Sequence, residues 1–140
     1  MGIKKGLRQL WIDDDDIRDR IDGRIYAGRV PDGGKMPCVV IQMLSADRIY
    51  HLGGEAPVNE AIVQADVYGE SISEVDSIAE LLRNRTSGYQ GAAGDESIRE
   101  ATIIREADTA QQPRGGSGKW VYRHSRDFRI FYTVTVPTLV

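Results

Sequence analysis

The segment NEAIVQADVYGESISEVDSIAELLRNRTSG, residues 59–88, decides how the rest of the chain can fold. In its first half, every second residue from position 61 to position 67 is a small or branched apolar residue: Ala61, Val63, Ala65 and Val67. A period of two places alternate side chains on one face of an extended strand. The sequence therefore predicts a half-buried strand that ends at Gly69.

The second half of the segment has the features of a helix. Ser71 and Glu74 have the spacing of a capping box, and Gly88 is placed to end the helix in a left-handed conformation. Between them, four apolar residues follow one another at i, i+3, i+4 and i+7: Val75, Ile78, Ala79 and Leu82. This spacing produces one apolar stripe, so we predict that the helix packs on the preceding strand and that the two form the centre of the core.

Three more strands are predicted from alternating apolar residues, over Cys38–Leu44, Ile98–Glu106 and Trp120–Val136. An amphipathic helix is predicted over Ile3–Ile12 because Ile3, Leu7, Leu10 and Trp11 fall on one face. The order of the main elements is α-β-β-α-β-β, in which the first two strands and the last two can pair antiparallel. We therefore predict a single α+β domain over residues 1–140, with a mainly antiparallel four-stranded sheet and helices packed on one face.

Two connections differ in length and composition from the rest of the chain. Residues 45–58 are long and polar, and residues 107–119 contain the run Gly115-Gly116-Ser117-Gly118. Connections of this length in a small domain are usually functional or disordered, and Gly/Ser-rich chains are flexible. We predict that both are flexible and that residues 107–119 become ordered only against a neighbouring protein.

The four consecutive carboxylates of Asp13–Asp16 have two interpretations. Hard cations bind carboxylate oxygens, but four consecutive side chains point in different directions and do not converge on one ion. The simpler interpretation is that Asp13 caps a second helical turn, whose apolar face is Ile17 and Ile21. The sequence therefore favours a helix cap over a metal site.

The residues that carry chemistry do not form a catalytic motif. His51 and His124 are far apart in the sequence, and Cys38 lies in an apolar run typical of a buried thiol. Gly115–Gly118 lacks the Lys-Ser or Lys-Thr and the following helix of a phosphate-binding loop. We expect no enzymatic activity, no catalytic residue, no metal and no cofactor.

Composition excludes further classes of protein. The chain has 140 residues, a 41% apolar content and one cysteine, which is consistent with one core and excludes an internal disulfide. A net charge of −3 gives no general attraction to nucleic acid or to an anionic membrane. No apolar run approaches the roughly 20 residues that cross a bilayer, and the N-terminus lacks the features of a signal peptide.

Candidate interface residues are the charged or histidine residues of the two connections, together with two charged residues of the more polar sheet face. They are Asp47, Arg48, His51, Glu55, Asp66, Arg114, Lys119 and Arg129. Asp66 and Arg129 form either a cross-strand ion pair or two separately solvated charges. A small binding module for RNA or a protein ligand stays open as an alternative, because aromatic residues of the last strand could stack bases.

Four segments carry a resemblance to a known family over nearly the whole chain. They are GRIYAGRVP at 23–31, MPCVVIQ at 36–42, VQADVY at 63–68 and the stretch 122–132, which contains SRDFRIFY. With the order and spacing of the elements between them, these segments resemble the small tail-completion, tail-terminator or tail-to-head joining proteins of tailed phages.

The resemblance implies a structural virion protein. It implies a ring of the protein's own copies, with a hexamer as the expected candidate, that caps the head-proximal end of the tail tube. The tail tube protein and a head-completion or connector protein are the implied partners. No catalysis, no cofactor, no membrane and no specific nucleic acid are implied, beyond the DNA that passes through the ring.

Overall fold

The structure, a computed structural model, describes residues 2–31, 34–47, 50–51, 54–55, 58–111 and 120–133. Three helices lie in these residues: α1 (Ile3–Ile12), α2 (Asp15–Ile21) and α3 (Ile72–Thr86). The strands before α3 are β1 (Ile25–Ala27), β2 (Cys38–Asp47), β3 (Tyr50–His51), β4 (Gly54–Glu55) and β5 (Val58–Gly69). The strands after α3 are β6 (Gly91–Ala93), β7 (Glu96–Gln111) and β8 (Val121–Thr133).

Six strands form one mixed sheet in the order β1-β2-β5-β8-β7-β6. All neighbours pair antiparallel except β1 and β2, which are parallel. The α+β class is confirmed, and the four predicted strands are the four inner strands. The prediction of a four-stranded sheet is wrong, because β1 and β6 extend it at both edges. Each of these has three residues, which is too short to show a period of two.

The core lies between the helices and one face of the sheet. The four alternating residues of β5 are buried, and so is the complete predicted stripe of α3. From α1, Trp11 reaches the centre, where its ring lies 6.5 Å from that of Phe128 on β8. Its indole N–H donates to Thr86 Oγ1 at 2.8 Å, which ties α1 to the end of α3. The prediction that the helix of the central segment packs on its own strand is confirmed by this single apolar cluster.

The helix ends differ in detail from the predictions. Ser71 is the N-cap residue of α3, but its side chain makes no capping hydrogen bond. Gly88 has φ +77°, the left-handed conformation predicted for it. At α2 the cap is Asp14, one residue after the predicted Asp13, and its carboxylate accepts from the Asp16 and Ile17 N–H groups at 3.0 and 3.2 Å. The acidic run therefore caps a helix, as predicted.

Bulges change which residues face the core. In β7 the register shifts between Ile98 and Glu100 and again between Ile103 and Arg105. Ile98, opposite Tyr132, and Ile103, opposite Phe128, therefore lie on the same face. A strict period of two over the predicted strand Ile98–Glu106 would place Ile98 and Ile103 on opposite faces. The bulge between them changes this, because it adds one residue to the strand and inverts every side chain beyond it.

The two predicted flexible connections are shorter than expected. Strand β7 continues to Gln111, and its residues from Ala107 onwards pair with β8. In the first connection, β2 continues to Asp47, and Tyr50–His51 pairs with Gly54–Glu55 as a two-stranded hairpin. Residues 112–119, the rest of the second connection, lie outside the described residues.

Candidate interaction surface

The predicted interface residues are distributed over the sheet and its connections. Asp47 is exposed at the end of β2, and the backbones of His51 and Glu55 lie in the β3–β4 hairpin. Arg48, Arg114 and Lys119 lie outside the described residues. Asp66 and Arg129 lie on the same face of the sheet, opposite the one that packs on the helices.

Asp66 and Arg129 form neither the cross-strand ion pair nor the two separately solvated charges that the sequence left open. Asp66 is opposite Ser125, whose hydroxyl donates to its carboxylate, and it is only 5% exposed. Arg129 is opposite Ile62, four residues away along the same strand pair, and its Nε lies 3.1 Å from Oε1 of Glu60. The sequence shows both charges on one face, but the partner of each depends on the register between β5 and β8.

The face of the sheet that bears these residues is polar. Gln64 Nε2 donates to Asp127 Oδ1 at 3.1 Å across β5 and β8. A shallow cavity of about 170 Å³ lies beside this pair, between Arg105 and Arg123. The predicted polar face is confirmed, and three of its residues, Asp66, Ser125 and Asp127, are at most 6% exposed.

A charge cluster around the buried Arg126 lies on the opposite face, under α3. Arg126 of β8 is 5% exposed. Its Nε and Nη2 lie 2.8 and 2.6 Å from Oε1 of Glu106 on β7, and its Nη1 donates to the carbonyl of Ala79 in α3. The hydrogen bond from Arg126, together with its charge and that of nearby His124, holds the pKa of Glu106 below its usual value, against the opposing effect of burial. Arg126 thus connects α3 to two strands.

The contacts of Arg126 were not predicted from the sequence. Arg126 occupies a position between His124 and Phe128 that, by the period of two, faces the core. A charged residue on an apolar face usually has a buried partner. The position of Arg126 on the core face therefore predicts a buried partner, but it does not identify Glu106 or the Ala79 carbonyl as that partner.

Three potential ligand groups converge beside the cluster. A carboxylate oxygen of Asp76, one of Asp108 and a ring nitrogen of His124 lie within 4.8 Å of one another. Nδ1 of His124 lies 2.6 Å from Oδ1 of Asp108, so these two are hydrogen-bonded to each other. The carboxylates are exposed, and exposed acidic groups are common without a cation. The arrangement therefore explains how His124 is oriented and identifies no metal centre.

Cys38 has the properties of a structural thiol. It is buried in β2, and burial raises its pKa to about 11, partly offset by the nearby charge of Arg24. A thiol of this pKa is almost entirely protonated at neutral pH and is a poor nucleophile.

Among the described residues no helix is both long and apolar enough to cross a membrane.

Comparisons with known proteins give one family match and a shared fold. A family model described as "Tail completion protein gp17" matches residues 5–133. A chain of the solved structure titled "Virion of native gene transfer agent (GTA) particle" shares the fold, with a TM-score of 0.59 at 12% identity over 91% of this chain and 92% of that one. No curated protein sequence matches at a significant level.

Proposed function

The chain belongs to the tail completion protein gp17 family, structural proteins of the phage tail, and from this premise we propose that it caps the tail tube as a ring. In that position it forms the tail side of the head–tail junction. The observation that carries the proposal is the family match, which extends over residues 5–133 and leaves out only the two ends of the chain.

The surface of the domain supports such a role. A ring needs two different patches on each subunit, because its contacts are heterologous. The sheet provides a polar face with charged residues and, at its two sides, strands that differ in sequence. The contacts that the described residues do make, such as those of Arg126 and Asp66, stabilise the fold.

We propose three classes of partner. Copies of the same chain form the ring, with a hexamer as the expected stoichiometry. The tail tube protein lies on one side of the ring and a head-completion or connector protein on the other. The exposed Asp47 and Arg129, with the remaining predicted residues of the two connections, are the candidates for these contacts.

Deletion of the gene in a strain that produces the particle tests the junction role. Electron microscopy should show heads without tails, together with tails of uncontrolled length, because neither tube growth nor joining is completed. Expression of the chain from a plasmid should restore joined particles, and this serves as the control. Joined particles with tails of normal length in the deletion strain would contradict the proposal.

Shortening of the connection between β7 and β8 tests whether that segment contacts a neighbour. Replacement of residues 112–119 by a short Gly-Asn turn should leave the domain folded, because β7 and β8 already pair up to Gln111 and Val121. We expect the variant to retain its unfolding free energy and to fail in joining heads to tails. Infectious particles produced by the shortened chain would show that the connection has no role in docking.

A further inference from the structure

Two strands of the sheet have edges that are unpaired over part of their length. On the outer side of β2, the ladder to β1 ends at Ile41, whereas the strand continues to Asp47 with exposed side chains. On the outer side of β7, the ladder to β6 ends at Ile98, and a last contact comes from the Gly88 N–H to the Ala101 carbonyl. Beyond these points no described residue pairs with either edge. Unpaired edges present N–H and C=O groups that can pair with another chain.

Both edges are bulged at the same level of the sheet. One row of opposite residues runs across it from Met43 on β2 to Ile103 on β7. The next residue on each edge strand, Leu44 or Ile104, is the extra residue of a bulge. Leu44 is 50% exposed and Ile104 is 42% exposed. The open edge of β2 therefore presents Leu44 beside Met43, which is 37% exposed, and the open edge of β7 presents Ile104; Leu44 and Ile104 are at equal height.

Bulges often protect a sheet edge from pairing, usually together with charged side chains. Here the bulged residues are leucine and isoleucine, which favour burial over contact with water. Bulges that served only to prevent edge pairing would be expected to carry charged residues at positions 44 and 104, and not Leu44 and Ile104. The pattern favours two edges that are covered in the assembled state.

The strand directions allow the edges to join. Since β2, β5, β8 and β7 are successively antiparallel, β2 and β7 run in opposite directions. A second copy placed beside the first in the same orientation therefore brings its β7 antiparallel to the β2 of the first copy. The antiparallel order of the strands then continues from one copy to the next. A two-fold contact between two β2 edges would leave the β7 edge and Ile104 uncovered.

We propose that residues 42–45 of one copy pair with residues 102–105 of the next, which are the stretches of the two open edges at the same height, so that Leu44 and Ile104 are covered at each contact. This heterologous pairing rests on the proposed function, since it is the contact that closes the ring. Repeated around an axis along the strands, it joins the sheets of all subunits into one continuous antiparallel sheet.

Cross-linking between the edges tests the pairing. Ser45→Cys and Arg105→Cys place thiols on the two edges, on the same face of the sheet, and both positions are exposed. A flexible bis-maleimide removes the need for an exact register, and the buried Cys38 makes the unchanged chain the control. An equal mixture of the single variants should give covalent dimers only, and the double variant a ladder that ends at the ring.

The outcomes separate the alternatives. Dimers formed by one single-cysteine variant alone would show a two-fold contact. No cross-linked product from either the mixture or the double-cysteine variant would show that these edges do not meet. Either result overturns the proposal. Leu44→Asp or Ile104→Asp in the double-cysteine chain should abolish the ladder. The matched control is Ile72→Asp, which charges an exposed apolar residue of α3 and should leave the ladder intact.

Failure of this contact and failure of the proposed function are distinguishable. A ring seen by light scattering or on purified tails, without cross-links between the two edges, overturns the edge pairing and leaves the ring intact as a proposal. A full ladder, in a strain where deletion of the gene does not impair joining, supports the pairing and removes the junction role.

Discussion

Replacement of Arg126 measures how much the charge cluster around this buried arginine contributes to stability. Removal of one partner from a buried ion pair costs about 3–5 kcal/mol. Glu106 is 48% exposed, so water can hydrate its carboxylate once the guanidinium is gone, which lowers that cost. The loss of the hydrogen bond to the Ala79 carbonyl and of the packing of the arginine stem adds to it. We expect Arg126→Ala to reduce the free energy of unfolding by about 2–4 kcal/mol.

Arg126→Met provides the matched control. The methionine side chain fills a similar space, so Arg126→Met keeps most of the packing of the arginine stem but leaves Glu106 without its partner, as Arg126→Ala does. We expect this variant to lose about 1 kcal/mol less unfolding free energy than Arg126→Ala, and that difference measures the packing of the stem. The unfolding free energy of Arg126→Lys should lie between those of Arg126→Ala and the unchanged chain. One ammonium group does not reproduce the planar set of donors that reaches both Glu106 and the Ala79 carbonyl.

Urea unfolding at neutral pH, followed by circular dichroism, gives these free energies, and a pH series adds a second readout. The folded state holds the pKa of Glu106 below its ordinary 4.5, so the pair contributes stability above that pH. The contribution is lost as the pH falls from 4.5 through the lowered pKa, so the unchanged chain should lose stability there relative to Arg126→Met. Arg126→Ala with a loss under about 0.5 kcal/mol, or a constant difference between the unchanged chain and Arg126→Met across this pH range, would show that the contact between Arg126 and Glu106 does not stabilise the fold.

Three further substitutions test the packing by the same unfolding measurement. Leu82→Ala should cost about 2–5 kcal/mol, because Leu82 is buried in the stripe of α3; a loss near zero would mean that α3 presents a different face to the sheet. Thr86→Val should cost about 1–3 kcal/mol by leaving the Trp11 indole N–H without its acceptor, whereas Thr86→Ser, which keeps the hydroxyl, should cost less. Gly6→Ala should destabilise by about 1–3 kcal/mol, because a Cβ there would lie 2.3 Å from the Ala93 carbonyl oxygen; Gly2→Ala, which meets nothing within 4 Å, is its control, and equal stability of the two would contradict the close approach of α1 and β6.

Elements with a regular apolar period were predictable with near-final boundaries. Helix α1 has the predicted limits, and β5 and α3 bury the predicted residues. The short strands β1 and β6 were not predictable, because three residues hold no period and each is stabilised by its neighbour in the sheet. The bulges at Leu44 and Ile104 could not be predicted from the sequence either, because the extra residue of a bulge has no characteristic composition here.

The candidate surface was predicted less completely than the fold. The polar face of the sheet followed from alternation, but the partners of its charges did not. Asp66 bonds to Ser125 and Arg129 to Glu60 because the register of β5 on β8 places those residues opposite or beside one another. A change of two residues in register would keep every side chain on its face and exchange all of these partners.

Local sequence patterns were enough to specify the strand of residues 59–69, the helix that follows it, the residues that both bury and the family to which the chain belongs. These follow from local periods and from ordered motifs, which need no knowledge of distant residues. The tertiary structure alone decided the six-stranded order, the partners of Arg126 and the two open edges. Those features depend on which distant strands become neighbours and in what register, and that choice is made by the packing of the whole core rather than by any one segment.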